Sequence, residues 1–271
     1  MNFENYKQLH FTNKNCDINY WYRQGTGNEV VFLLHGAGCD HVMFEKQLSV
    51  FDENYNVIAW DARGHGLSVL KEPQKFDFCD MIDDILKLFE IHKIKNAAFI
   101  GQSMGGNLAQ EIAYRYPEKV SKMILIDSTK NTQELTIFEK IMLKMSKFIF
   151  KCYPYKTLIN QSAAACGNTI YAQNYVKNCF KKLSKQTIID ITMSVMQCLH
   201  QDNDYRFPVP VLLLCGSGDK SGNIRKAVNL WQKTDENCEL YMIQIAGHCA
   251  NMDNPDETNK QIVEFLIKNK N

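Results

Sequence analysis

No apolar run in the sequence approaches the length needed to cross a bilayer, so no membrane span is expected. The stretch from Met1 to Tyr20 lacks a basic segment followed by an apolar core and a small-residue cleavage site, and no secretory leader is expected either. Charge of one sign is also missing. With 31 basic and 30 acidic residues interspersed and a formal charge of +1, nothing points to nucleic acid or to a charged binding tail. The ten cysteines are scattered through 271 residues without a Cys-x-x-Cys pair, so they read as reduced, buried thiols rather than a disulfide framework. Internal repeats and low-complexity segments are absent, and no motif calls for a metal or a cofactor. These absences predict a soluble, cytoplasmic protein and leave its oligomeric state open.

What is present is an ordinary globular composition, 45% apolar and 11% aromatic. Gln8 to Phe11 and Asp17 to Tyr22 read as an antiparallel pair. Val30 to Leu34, Val57 to Trp60, Ala97 to Ile100, Met123 to Ile126, Val211 to Leu214 and Leu240 to Ile245 read as strands. Between them lie a short helical segment near His41 to Phe51 and helical patterns over Phe76 to His92, Asn107 to Tyr116, Asn223 to Lys233 and Asp256 to Lys268. Such alternation predicts an α/β fold with a mostly parallel sheet covered on both faces, because each parallel connection needs a crossover. Ligands of such sheets sit at the carboxyl ends of the strands. Those ends carry His35-Gly36, Asp61, Ser103, Asp127, Asp219 and His248.

The interval Ser128 to Phe207 has helical patterning but no convincing strand. The expected organisation is therefore a core of residues 1–127 and 208–271 with a helical cap, residues 128–207, over the rim. In the cap, Leu135, Phe138, Ile141, Met142, Met145, Phe148 and Ile149 fall at helical spacing, with Lys140, Lys144, Lys147 and Lys151 largely off that stripe. A basic amphipathic helix can lie on a membrane surface. Packing of the apolar face on the protein itself is the expectation here.

Ala98 to Ala109, AFIGQSMGGNLA, places Ser103 between glycines where a strand becomes a helix. A side chain at the apex of so sharp a turn is pushed out of the sheet, and only small neighbours two residues either side let strand and helix close. Gly101 and Gly105 supply them. The serine then sits at a helix N-terminus, where free N–H groups favour an anion forming beside it. The alternative is a glycine-rich turn with a serine helix cap.

A serine nucleophile needs a base and a group to orient that base. Of the seven histidines, His248 is best placed, in Ala246-Gly247-His248-Cys249 after the last strand. Asp219 follows the penultimate strand and is the expected acid; Asp127 is its rival. Cys39 and Cys249 flank the same loops and are given no role.

HGAG at His35 to Gly38, DARGHGLS at Asp61 to Ser68, GQSMGG at Gly101 to Gly106, GSGD at Gly216 to Asp219 and GH at Gly247 to His248 together resemble the α/β-hydrolase family, specifically its capped serine hydrolases. The resemblance covers essentially the whole chain. It implies Ser103 as nucleophile, His248 as general base and then acid, and Asp219 as holder of the histidine tautomer. It also implies an oxyanion hole from the backbone N–H groups of Ala37 and Met104, with Asp61, Arg63 and His65 fastening the rim loops. The implied activity is hydrolysis of a carboxylic ester or related acyl compound with a small to medium apolar acyl group. The same triad also serves thioesters, lactones, carbon–carbon hydrolysis, lyases and perhydrolases, and a non-catalytic receptor for a small ligand is a third reading.

Overall fold

The computed structural model describes residues 3–14, 16–71 and 75–269, apart from the side chains at 138, 142–144 and 147. Its strands are β1 (Lys7–Asn13), β2 (Cys16–Arg23), β3 (Val30–Leu34), β4 (Asn56–Trp60), β5 (Ala97–Gln102), β6 (Val120–Ile126), β7 (Val211–Gly216) and β8 (Cys238–Ile243). They form one sheet in the order β1-β2-β4-β3-β5-β6-β7-β8. β1 and β2 pair antiparallel, β2 pairs antiparallel with β4, and every later pairing is parallel. β5 and β7 are buried at every position and β3, β4 and β6 at nearly every one, as a parallel sheet covered on both faces requires.

The α-helices are α1 (Phe78–Ile91), α2 (Met104–Arg115), α3 (Ile137–Cys152), α4 (Tyr155–Cys166), α5 (Ile170–Lys181), α6 (Lys185–Val195), α7 (Ile224–Thr234), α8 (Ala250–Asp253) and α9 (Pro255–Lys268). One face of the sheet packs against α1, α2 and α7 through residues such as Met81, Ile85, Leu108, Ile112, Val228 and Trp231. The opposite face packs against α9 and the 3-10 segment His41–Val50 through Phe44, Leu48, Ile262 and Phe265. Helices α3 to α6 follow one another between β6 and β7 without an intervening strand.

The rim loops are tied by buried polar groups. Arg63 donates to both oxygens of Asp84, at 2.7 and 2.6 Å, and to Asp80 at 3.0 Å. Asp61 accepts from the N–H groups of His41 and Leu67 and pairs with the His41 ring. His65 Nδ1 donates to the Arg63 carbonyl. His35 Nδ1 donates to the Gly36 carbonyl and its Nε2 accepts from Ala62 N–H, which fixes the loop after β3.

Helix α3 corrects the expectation that its apolar stripe is covered by the protein. Ile141, Met145 and Phe148 are exposed and Leu135 and Ile149 only half-buried; the side chains of Phe138, Met142, Lys144 and Lys147 fall outside the described residues. The helix meets α6 through another face, where Ser146 Oγ lies 3.8 Å from the sulfurs of Met193 and Met196. Periodicity shows that a helix has an apolar side but not what lies against it.

Candidate active site

The turn from β5 into α2 leaves one residue, Ser103, between strand and helix, at φ 49° and ψ −112°. Steric crowding explains the flanking glycines. A Cβ on Gly101 would fall 2.4 Å from the Gly105 carbonyl, and one on Gly105 would fall 2.0 Å from the Leu34 carbonyl oxygen. Both obstacles are backbone, so no rotamer change relieves them. Ser103 makes no side-chain cap to α2. Its Oγ instead lies 3.0 Å from His248 Nε2. That contact disposes of the reading of Ser103 as a helix cap.

His248 sits in the loop between β8 and α8, and its Nδ1 lies 3.0 Å from Asp219 Oδ2. The carboxylate of Asp219 is anchored through Oδ1, which accepts from Ser221 N–H at 2.7 Å. In the neutral ring these bonds define the tautomer: Nδ1–H donates to Asp219, and Nε2 accepts from the Ser103 hydroxyl. Asp219 and His248 are buried and Ser103 is partly open. The structure thus brings Ser103, His248 and Asp219 into one hydrogen-bonded row at the strand ends.

Asp127 lies beside the row but does not touch the imidazole through a hydrogen bond. Its two oxygens accept the backbone N–H groups of Gly216, at 2.8 Å, and Ala250, at 3.0 Å. Burial pushes its carboxyl up, to about 8, with the charge of Asp219 adding to the shift against the pull of His248. Asp219 moves the other way. Burial would raise it, but the hydrogen bond and charge of His248 outweigh that and hold it below the usual carboxylate range. The two neighbouring carboxyls thus have oppositely moved proton affinities.

Burial also disfavours a charged His248, yet the Asp219 hydrogen bond and the negative neighbours Cys166 and Asp127 push the imidazole up, to about 9. Cys166, the last residue of α4, receives a hydrogen bond from the Cys249 thiol, which with the nearby imidazole lowers it to about 7 against its burial. The backbones of the two cysteines are joined as well, Cys249 N–H donating to the Cys166 carbonyl at 2.7 Å. Cys39 and Cys249 are buried thiols.

The backbone N–H groups of Ala37 and Met104 have no hydrogen-bond partner among the described residues. Met104 opens α2, so its N–H is one of the helix's unpaired donors. Two polar side chains at the site carry no sequence signal. Gln102 Nε2 donates to the His248 carbonyl at 2.7 Å, and its Oε1 occupies the place where a Cβ on Gly36 would be, 2.0 Å away. Gln102 therefore joins the serine turn, the loop after β3 and the histidine loop, although its position in the glycine pattern accepts any residue. Cys166 was equally hidden, since nothing in α4 marks it. Asp127, Cys215 and Asp219 hold three potential metal-ligand atoms within 4.8 Å of one another, but the two carboxyls are already engaged by His248 and by backbone amides.

A mostly parallel sheet covered on both faces, with a strained serine at the β5–α2 turn, defines an α/β hydrolase. The family model for serine aminopeptidase S33 matches residues 26–255, and the chain belongs to that family. Among relatives, a putative carbamate hydrolase, RutD, of Caulobacter vibrioides is 28% identical over 101 residues, covering 37% of this chain and 38% of that protein. The chain thus matches little more than a third of the length of the first curated relatives. The monoacylglycerol lipase ABHD6 of Homo sapiens is 23% identical over 270 residues, covering 91% of this chain and 78% of that protein. A hydrolase from Pseudomonas aeruginosa PA01 has the same fold, with a TM-score of 0.81 at 16% identity over 97% of this chain and 98% of that one. Among the described residues, no helix is long and apolar enough to cross a membrane.

Proposed function

We propose that the protein is a serine hydrolase that cleaves carboxylic esters or related acyl compounds with small to medium apolar acyl groups through an acyl-enzyme. The observation that carries this reading is the row Ser103 Oγ, His248 and Asp219 with two contacts of 3.0 Å, set at the N-terminus of α2. Ser103 attacks the acyl carbonyl while His248 Nε2 takes its proton. The N–H groups of Ala37 and Met104 hold the oxyanion, and His248 returns the proton to the leaving alcohol. Water repeats the sequence and releases the acid. Helices α3 to α6, within residues 128–207, form the cap over this rim, and the ten free thiols fit a cytoplasmic protein.

The lipase and carbamate-hydrolase names of the relatives support acyl chemistry at this site. The family's aminopeptidase description favours one second reading, an amide bond next to a free amino group. Incubation with a fluorophosphonate probe tests the nucleophile, with labelling of the wild-type chain and none of Ser103→Ala as the expected result. Turnover of an aryl-ester series beside aminoacyl arylamides then separates the bonds. Full ester turnover by purified, folded Ser103→Ala would falsify the mechanism.

A further inference from the structure

Helix α3 leaves a row of large apolar side chains in water. Ile137, Ile141, Met145 and Phe148 are 79, 50, 50 and 69% exposed. Steps of four, four and three residues put them on one side of the helix. From 140 to 156 the sequence holds five lysines, at 140, 144, 147, 151 and 156, and no aspartate or glutamate. The first four follow helical steps of their own, two or three residues after successive apolar positions, so the two rows run side by side. Lys140, Lys151 and Lys156 are exposed and form no ion pair among the described residues.

We propose that α3 docks the protein on an anionic lipid surface. Ile137, Ile141, Met145 and Phe148 enter the boundary between headgroups and acyl chains, and the lysine row meets the acidic headgroups beside them. An apolar row flanked by lysines is the pattern of a helix lying in a membrane interface rather than crossing it. Charge decides against a second copy as occupant, because α3 carries four lysines and a single acid, Glu139, so two such faces set lysine against lysine. The site of Ser103 plays no part in the argument, and the lipid test below reads binding alone.

The full chain is sedimented with vesicles of phosphatidylcholine, with and without phosphatidylserine. Binding is expected only with phosphatidylserine and is expected to weaken as salt is raised. Lys140→Gln/Lys151→Gln should weaken it about 25-fold, since each lysine near an anionic surface contributes about 1 kcal/mol, or fivefold. Ile141→Ser/Phe148→Ser should abolish it. Unchanged thermal melting of each variant shows that the fold is intact. Equal pelleting on neutral and anionic vesicles, or undiminished binding by Ile141→Ser/Phe148→Ser, would overturn the proposal. So would an equilibrium dimer that Ile141→Ser/Phe148→Ser dissociates, because the face would then belong to a second copy.

Discussion

Asp219→Asn, made in parallel with Asp127→Asn, decides which carboxylate serves His248. The imidazole is raised from 6.5 to about 9. At about 1.4 kcal/mol per unit, this corresponds to roughly 3 kcal/mol in favour of the imidazolium. Burial opposes that shift, so the anions around the ring supply at least as much between them, and of these anions Asp219 is the one hydrogen-bonded to the ring, at 3.0 Å. Loss of its charge weakens the imidazolium at the moment Ser103 gives up its proton. An asparagine amide can also donate to Nδ1, which leaves the ring proton on Nε2 facing Ser103 and removes the base. Together the two effects predict a fall of about 10⁴-fold in kcat. Asp127→Asn should keep kcat within about tenfold. Its cost falls on stability, about 1–3 kcal/mol, because a carboxamide has one acceptor oxygen for the two N–H groups of Gly216 and Ala250. Steady-state hydrolysis of an aryl ester measures the first effect and urea unfolding the second. A loss of about 10³-fold in Asp127→Asn, with Asp219→Asn nearly intact, would refute the assignment.

Cys166→Ala removes one of the negative groups that raise His248. A general base must be unprotonated, so the acid limb of the kcat/KM profile should move to lower pH; an unmoved limb breaks the link between thiol and imidazole. Gly105→Ala forces a Cβ to within 2.0 Å of the Leu34 carbonyl oxygen. A destabilisation of about 3 kcal/mol or more is expected from the urea midpoint, since backbone must move to accommodate it. Arg63→Met leaves Asp84 buried without its bidentate partner, at a cost of about 3–5 kcal/mol at neutral pH. Burial already raises Asp84 despite the bonds from Arg63. Protonation at lower pH neutralises the stranded carboxyl, so the deficit against wild type should shrink as pH falls, and a deficit that grew in acid would contradict this account.

The strands were legible because those of a parallel sheet are buried on both faces and write themselves as apolar runs: Val30–Leu34 appears in the structure with the same limits. Ser103, Asp219 and His248 could be read because the topology delivers strand ends to one rim and each of the three follows a strand closely. Boundaries shifted where side chains rather than apolarity set them. The helical pattern expected over Phe76 to His92 is a helix only from Phe78 to Ile91, because the Asp77 carboxylate accepts the Cys79 N–H and caps it there. Two kinds of information were missing. Gln102 and Cys166 act through contacts with segments far away in the chain, which local pattern does not record. The exposure of Ile141 and Phe148 was hidden for a related reason, since a helical stripe is the same sequence whether protein or another phase covers it.

The choice between Asp219 and Asp127 shows what chain order leaves out. Both end strands on the same rim, and their order in the sequence concerns only how far each lies from His248. In space they divide the work. Asp127, at the end of β6, binds the N–H of Gly216, three residues before Asp219, and the N–H of Ala250, two residues after His248. It thereby clamps together the two segments that carry the acid and the histidine, while Asp219 alone reaches the ring. Burial raises that carboxyl to about 8 although both N–H donors pull it down. If the clamp is what Asp127 supplies, Asp127→Asn should raise KM or lower stability before it touches the pH dependence set by Asp219. Asp127→Ala, which removes both acceptors, should add to that loss without moving the acid limb to where Asp219→Asn moves it.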